Sequence, residues 1–261
     1  MRLDERHIEP RSFITPVRDV DPPERTHIVI CVPGLSTDGN WVDEARVRSK
    51  YYNSTIEFVK LTPLSQPWLQ HAIVGFGLRD IEHDIAIKIF NVILKYDGDG
   101  KKISILAHSL GCAITEKAIR SLNYKFNIVI FAGSICHRRH SSTISQKCGI
   151  FINSCGTNDP WPFYLEVVKF WCYSATGTLG FGTSLYANDL FYETDHHSCT
   201  ASDHIDSVIV PLLMGTTVAQ PENPKRRYSR MCVYVTRCVF LTMSVVAPLI
   251  LWALYKVAQF V

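Results

Sequence analysis

Ser109 sits at the join of two patterns in the stretch ISILAHSLGCAI, residues 103–114. The residues before it are branched and apolar, as in a buried strand, and LGCAITEKAI after it reads as a helix. A serine at so tight a strand-to-helix turn is lifted above the sheet. Its hydroxyl becomes a nucleophile only when a histidine accepts its proton, and that histidine needs a carboxylate on its other ring nitrogen. The Leu110 N–H, first in the helix, is free to face a developing oxyanion. A second donor is expected from the Leu35 N–H, after the turn Pro33-Gly34. Downstream, NSCGTNDPWP supplies Asp159, and ETDHHS supplies Asp195, His196 and His197, with His204 a little further on. Either aspartate and any of the three histidines could complete such a site.

These residues need elements to hold them. Residues 27–33 and 56–61 form short β-branched runs closed by Pro33-Gly34 and Thr62-Pro63, and read as strands. Residues 62–78, rich in Pro and Gly, read as a loop. Residues 78–96 place Ile81, Ile85, Ile89 and Ile93 at four-residue steps, the mark of an amphipathic helix. Strands follow at 102–107, 126–133, 148–156 and 189–194, with helices from Leu110 and near 203–213. Apolar runs in alternation with helices predict an α/β fold: a mostly parallel sheet with helices on both faces. In such sheets functional groups gather at the carboxyl ends of the strands. Ser109, Asp159 and the histidine group all follow strands.

The order Ser, Asp, His is that of the nucleophile-elbow hydrolases. The chain resembles the α/β-hydrolase superfamily, and within it the lipase- or serine-esterase-like branch. The resemblance rests on VPGLSTDGNW, ISILAHSLGCAI, IVIFAGSICHR, NSCGTNDPWP, YSATGTLGF and ETDHHS, over roughly residues 27–213. It implies that Ser109 is the nucleophile, Asp159 the acid and His197 the base, since a His followed by a small residue ends the last strand of that branch. Two departures stand out. The elbow reads A-x-S-x-G where G-x-S-x-G is usual, one small residue for another. The oxyanion loop reads Pro33-Gly34 where His-Gly is common. No large cap follows Gly133, so residues 160–188 are the expected cover. His108 is expected to pack under the elbow.

Composition narrows the remaining choices. The 261-residue chain is 47% hydrophobic and carries a net charge of +3, so nucleic acid is not an expected partner. Nine cysteines without regular spacing, behind a charged N-terminus that lacks an apolar signal segment, read as free thiols. Residues 195–199 spell DHHSC, but the inserted Ser198 breaks the Asp-His-His-Cys signature of protein palmitoyltransferases. Residues 136–140, CHRRH, lack a second ligand pair and read as a solvated loop. No metal or organic cofactor is implied.

The last 41 residues change character. PENPKRRYSR, residues 221–230, is a basic linker; from Cys238 to Tyr255 the chain carries no charge. A helix of that length nearly spans the hydrocarbon core of a bilayer. Tyr234, Trp252 and Tyr255 suit the interfaces, and Pro248 is tolerable there. Lys225, Arg226, Arg227 and Arg230 favour a cytoplasmic N-terminal side. The sequence therefore predicts an extension (1–26), a hydrolase domain (27–215), a linker (216–230) and a transmembrane helix (231–257). That layout is a cytoplasmic hydrolase tethered by its C-terminus. Its partners would be the membrane and an ester substrate, with lipids as a candidate class; the oligomeric state is not set. A thioesterase, amidase or acyltransferase would use the same triad. An inactive hydrolase scaffold serving as a tethered interaction module is the alternative of another kind.

Overall fold

A computed structural model describes residues 27–34, 39–51, 55–61, 78–168, 172–182, 186–221 and 224–258. The expected extension at 1–26, Leu35 and all but the last residue of the 62–78 loop lie outside the described residues. Six strands form one sheet in the order β2-β1-β3-β4-β5-β6. They are β1 (His27–Val32), β2 (Ile56–Lys60), β3 (Lys102–His108), β4 (Phe126–Ala132), β5 (Cys148–Gly156) and β6 (Asn188–Tyr192). Every pairing is parallel. The expectation of a mostly parallel sheet thus holds throughout the described strands.

Parallel strands require crossovers, and the helices supply them. They are α1 (Asn40–Tyr51), α2 (Leu78–Tyr96), α3 (Leu110–Ser121), α4 (Ser141–Gln146), α5 (Trp161–Val168) and α6 (Thr176–Leu179). After β6 comes a composite helix: α7 (Ser202–His204), a π-helical stretch (Ile205–Ile209) and α8 (Val210–Leu213). Pro211 sits in this run and offers no N–H, and the wider π turn ends two residues before it. The chain ends in α9 (Arg230–Ala258).

Alternation along the strands sorts the core into two layers. Ile28, Ile30 and Val32 of β1 join Ile103, Ile105 and Ala107 of β3 under α2 and α3. Val29 and Cys31 face the other way, with Leu106 and Ile130, and are covered by Trp41 and Val42 of α1 and by Ile205 and Val208. A sheet buried on both faces is why these strands read as unbroken apolar runs. All nine cysteines are unpaired, six of them buried.

Candidate active site

The end of β3 places Ser109 at φ 57° and ψ −124°, the only non-glycine residue with positive φ among the described residues. Such a backbone costs of order 1–3 kcal/mol and persists only where its surroundings enforce it. The Ser109 N–H donates to the Ala132 carbonyl on β4, and its own carbonyl accepts from Cys112 in α3. A Cβ on Gly111 would lie 2.4 Å from the Val32 carbonyl oxygen. Helix α3 therefore reaches the end of β1 only because that residue is glycine, while Ala107, fully buried, fills the other flank. The A-x-S-x-G variant supports the same turn.

The Ser109 side chain does not cap α3. Its hydroxyl lies 2.8 Å from His196 Nε2, and His196 Nδ1 lies 2.7 Å from Asp159 Oδ2. A carboxylate accepts, so the proton belongs on Nδ1, and Nε2 turns its lone pair to the serine hydroxyl. Asp159 is fully buried, and its other oxygen accepts from the Trp161 N–H at 3.0 Å. Serine, imidazole and carboxylate thus form one continuous chain at the carboxyl ends of β3, β5 and β6.

This corrects the expected base: the ring on Ser109 is that of His196, one residue before His197. Asp195 accounts for the shift. Its Oδ1 accepts from the His197 N–H at 3.0 Å and from the Ser198 N–H and hydroxyl at 2.8 Å each. These bonds tighten the turn after β6, hold the Asp195 carboxyl below its usual range and leave His197 exposed. Asp195, the rival acid, is committed to the turn. His204 is also accounted for: it is buried, bonded to the Ser154 hydroxyl at 2.9 Å, and stacked edge-on against Tyr192.

His108 packs under the elbow as expected, and its Nε2 is 3.0 Å from the His196 carbonyl. A carbonyl accepts, so Nε2 carries the proton. Burial, reinforced by the nearby His196, holds the His108 pKa down at about 3. It is a neutral donor that fixes the backbone of His196. The buried Cys199 thiol donates to the same carbonyl at 3.0 Å. Nothing in the sequence marked His108 and Cys199 as a pair acting on His196, since they lie 91 positions apart.

Leu110 opens α3, so its N–H has no partner within the helix. Leu35, the other expected donor, lies outside the described residues. Its neighbour Gly34 passes close to the serine: a Cβ there would sit 2.7 Å from Ser109 Cβ. Residues 160–188, the expected cover, contribute α5 and α6, and the Thr178 hydroxyl donates to the Asp159 carbonyl at 2.8 Å. No cluster of three or more metal-binding side chains occurs among the described residues.

Gly133, at φ +55°, follows β4 beneath the acid–base pair. A Cβ there would lie 3.3 Å from Asp159 Oδ2, from His196 Nδ1 and from Cys199 Sγ. Gly133→Ala should therefore lower kcat at least tenfold, through about 1–2 kcal/mol of left-handed backbone strain and pressure on the pair. Esterase kinetics on folded protein test this; an unchanged kcat would show that the site yields freely.

Residues 22–138 match the sequence model of a family described as "Putative serine esterase (DUF676)". That span is somewhat under half of the chain; it includes Ser109 and stops before Asp159 and His196. No curated protein matches in sequence. Among solved structures, an uncharacterized protein of Bacillus cereus is similar with a TM-score of 0.50 and 10% identity, over 77% of this chain and 63% of that one. A "predicted CIB-like hydrolase" of Thermoplasma acidophilum is similar with a TM-score of 0.47 and 13% identity, over 74% and 88%. The parallel sheet and the strained elbow serine are those of an α/β-hydrolase fold, and over residues 22–138 the chain is similar to the serine-esterase family.

Proposed function

We propose that the protein is a membrane-anchored serine esterase working through an acyl-enzyme on Ser109. One observation carries this reading: the Ser109 hydroxyl is 2.8 Å from an imidazole whose other nitrogen is held at 2.7 Å by a buried carboxylate. His196 takes the hydroxyl proton as Ser109 Oγ attacks the ester carbonyl. The oxyanion is received by the Leu110 N–H, with the Leu35 N–H as the expected second donor. The resulting imidazolium, held by Asp159, protonates the departing alcohol and leaves an ester on Ser109. Water then attacks that ester, giving its proton to His196, which returns it to Ser109 Oγ as the acid leaves. Thioester, amide or acyl-transfer chemistry would follow the same steps with another leaving group or acceptor.

The membrane part of the reading rests on α9. Its segment Arg230–Trp252 is long and apolar enough to cross a bilayer, with a mean hydropathy of 1.8 and only 6% of it buried. The basic residues before it suit a cytoplasmic hydrolase domain.

Fluorophosphonate labelling of the full chain in detergent tests the chemistry. Wild type should be labelled at Ser109, and Ser109→Ala should lose all labelling. Folded wild type that takes no label would favour an inactive interaction module.

A further inference from the structure

Helix α5 has two unlike faces. Phe163, Glu166 and Val167 turn inward, where Phe163, Val167 and Val233 of α9 share a small apolar cluster with Tyr228 packed beside it. Trp161, Tyr164 and Val168 turn outward, at 55%, 54% and 45% exposure. Their spacing of three and four residues puts them on one stripe of the helix. An aromatic stripe left in water costs hydration free energy unless something apolar covers it.

The ion pairs beside this helix point to what covers it. Glu166, almost buried, is bound by Arg237 of α9 at 3.2 Å and by Arg138 at 3.2 Å. Arg237 also reaches the Glu166 carbonyl, at 3.4 Å. Arg237 is the last charge before the uncharged run Cys238–Tyr255. The first turns of α9 are thus part of the hydrolase domain, and the apolar run starts where that docking ends. Arg138 and Arg237 share the single carboxylate of Glu166, and Arg230 lies near Arg138, a basic group suited to lipid phosphates. Trp161, which opens α5, follows Asp159 by two residues, and its N–H donates to the Asp159 carboxylate at 3.0 Å. The polar layer on each side of a bilayer is itself roughly 5–8 Å thick.

We propose that α5 rests on the lipid surface through Trp161, Tyr164 and Val168, and that the Glu166–Arg237 clasp fixes the hydrolase domain to its anchor so that the catalytic mouth is held at the headgroup layer. This rests on the reading of α9 as a membrane span. Its consequence is a preference for esters carried in the bilayer over esters dissolved in water. Tryptophan and tyrosine are the side chains suited to that depth, each with an apolar body and a polar edge.

The test uses the full chain reconstituted in phosphatidylcholine vesicles, with and without nitroxide-labelled lipid bearing its label near the headgroup. The difference in emission between wild type and Trp161→Phe isolates Trp161 from the other four tryptophans. That difference signal should be quenched at least twofold by the nitroxide lipid. As an independent check, Tyr164→Ser/Val168→Ser should lower the ratio of vesicle-borne to water-soluble ester hydrolysis about tenfold. An unquenched Trp161 in protein that resists alkaline carbonate extraction would overturn the proposal and leave the anchor standing; cover by a second copy of the chain would give that result. An unchanged rate ratio would also overturn it. Release by carbonate would overturn the anchor and the proposal together. The quenching needs no catalysis, so a failed esterase reading is seen separately.

Discussion

His196→Ala should reduce kcat/KM about 10³- to 10⁴-fold, whereas His197→Ala should stay within a few-fold of wild type. The first change removes the only ring among the described residues in contact with both Ser109 Oγ and Asp159 Oδ2. The corresponding loss of transition-state stabilisation is about 4–5.5 kcal/mol. The second removes an exposed ring whose contribution to the turn comes from its backbone N–H, which alanine keeps. Asp159→Asn should approach the loss of His196→Ala. An amide can donate to Nδ1 and so favours the tautomer whose Nε2 carries a proton and cannot accept one from serine. Asp195→Asn should cost far less, because its role is to shape the turn. Hydrolysis of a p-nitrophenyl ester by the four variants gives the comparison. A large loss in His197→Ala with activity kept in His196→Ala would overturn the assignment.

That one-residue slip shows where the sequence stopped being legible. The strands could be read because a sheet buried on both faces needs unbroken apolar runs, and their bounds fell within one or two residues. The elbow could be read because close packing of α3 against β1 demands small residues at Ala107 and Gly111. The choice between adjacent histidines is of another kind. It depends on which ring a turn sends inward, and that turn is set by the Asp195 carboxylate, a donor–acceptor geometry with no periodic signature. The stretch CHRRH failed for a related reason. It was expected to be a solvated loop, but Arg138 pairs with Glu166, and His140 Nδ1 lies 3.0 Å from the buried Glu116. Pairings across 24 to 28 positions leave no mark in local composition. The last uncharged run of α9 was plain in the sequence, whereas the docking of its first turns through Val233 and Arg237 was not.

Acid should unfold this protein well before its carboxylates are titrated, because three buried histidines are held neutral. His27 is buried against the Ser104 hydroxyl at 2.6 Å, and burial, with Lys102 nearby, lowers its pKa to about 4. Burial lowers His204 to about 4 and His108 to about 3. In the unfolded chain each would titrate near 6.5. The sign follows from the proton count. Between 6.5 and about 4 the unfolded chain holds protons that the native state refuses, so stability falls as pH falls. Each histidine contributes about 1.4 kcal/mol per pH unit in that window, so three together give roughly 4. At pH 5 the loss is about 6 kcal/mol, comparable to the whole stability of a typical domain. For a domain of this size it corresponds to a fall in Tm of roughly 12–24 °C from the value at pH 7. Thermal unfolding of the full chain in detergent, followed by near-ultraviolet circular dichroism, gives the slope directly. His204→Gln, which keeps a donor for Ser154 and removes the titration, should reduce that slope by about one third. A Tm that stays level from pH 7 to pH 5 would mean that these rings take up protons in the folded protein, and the neutral His108 donor behind His196 would go with it.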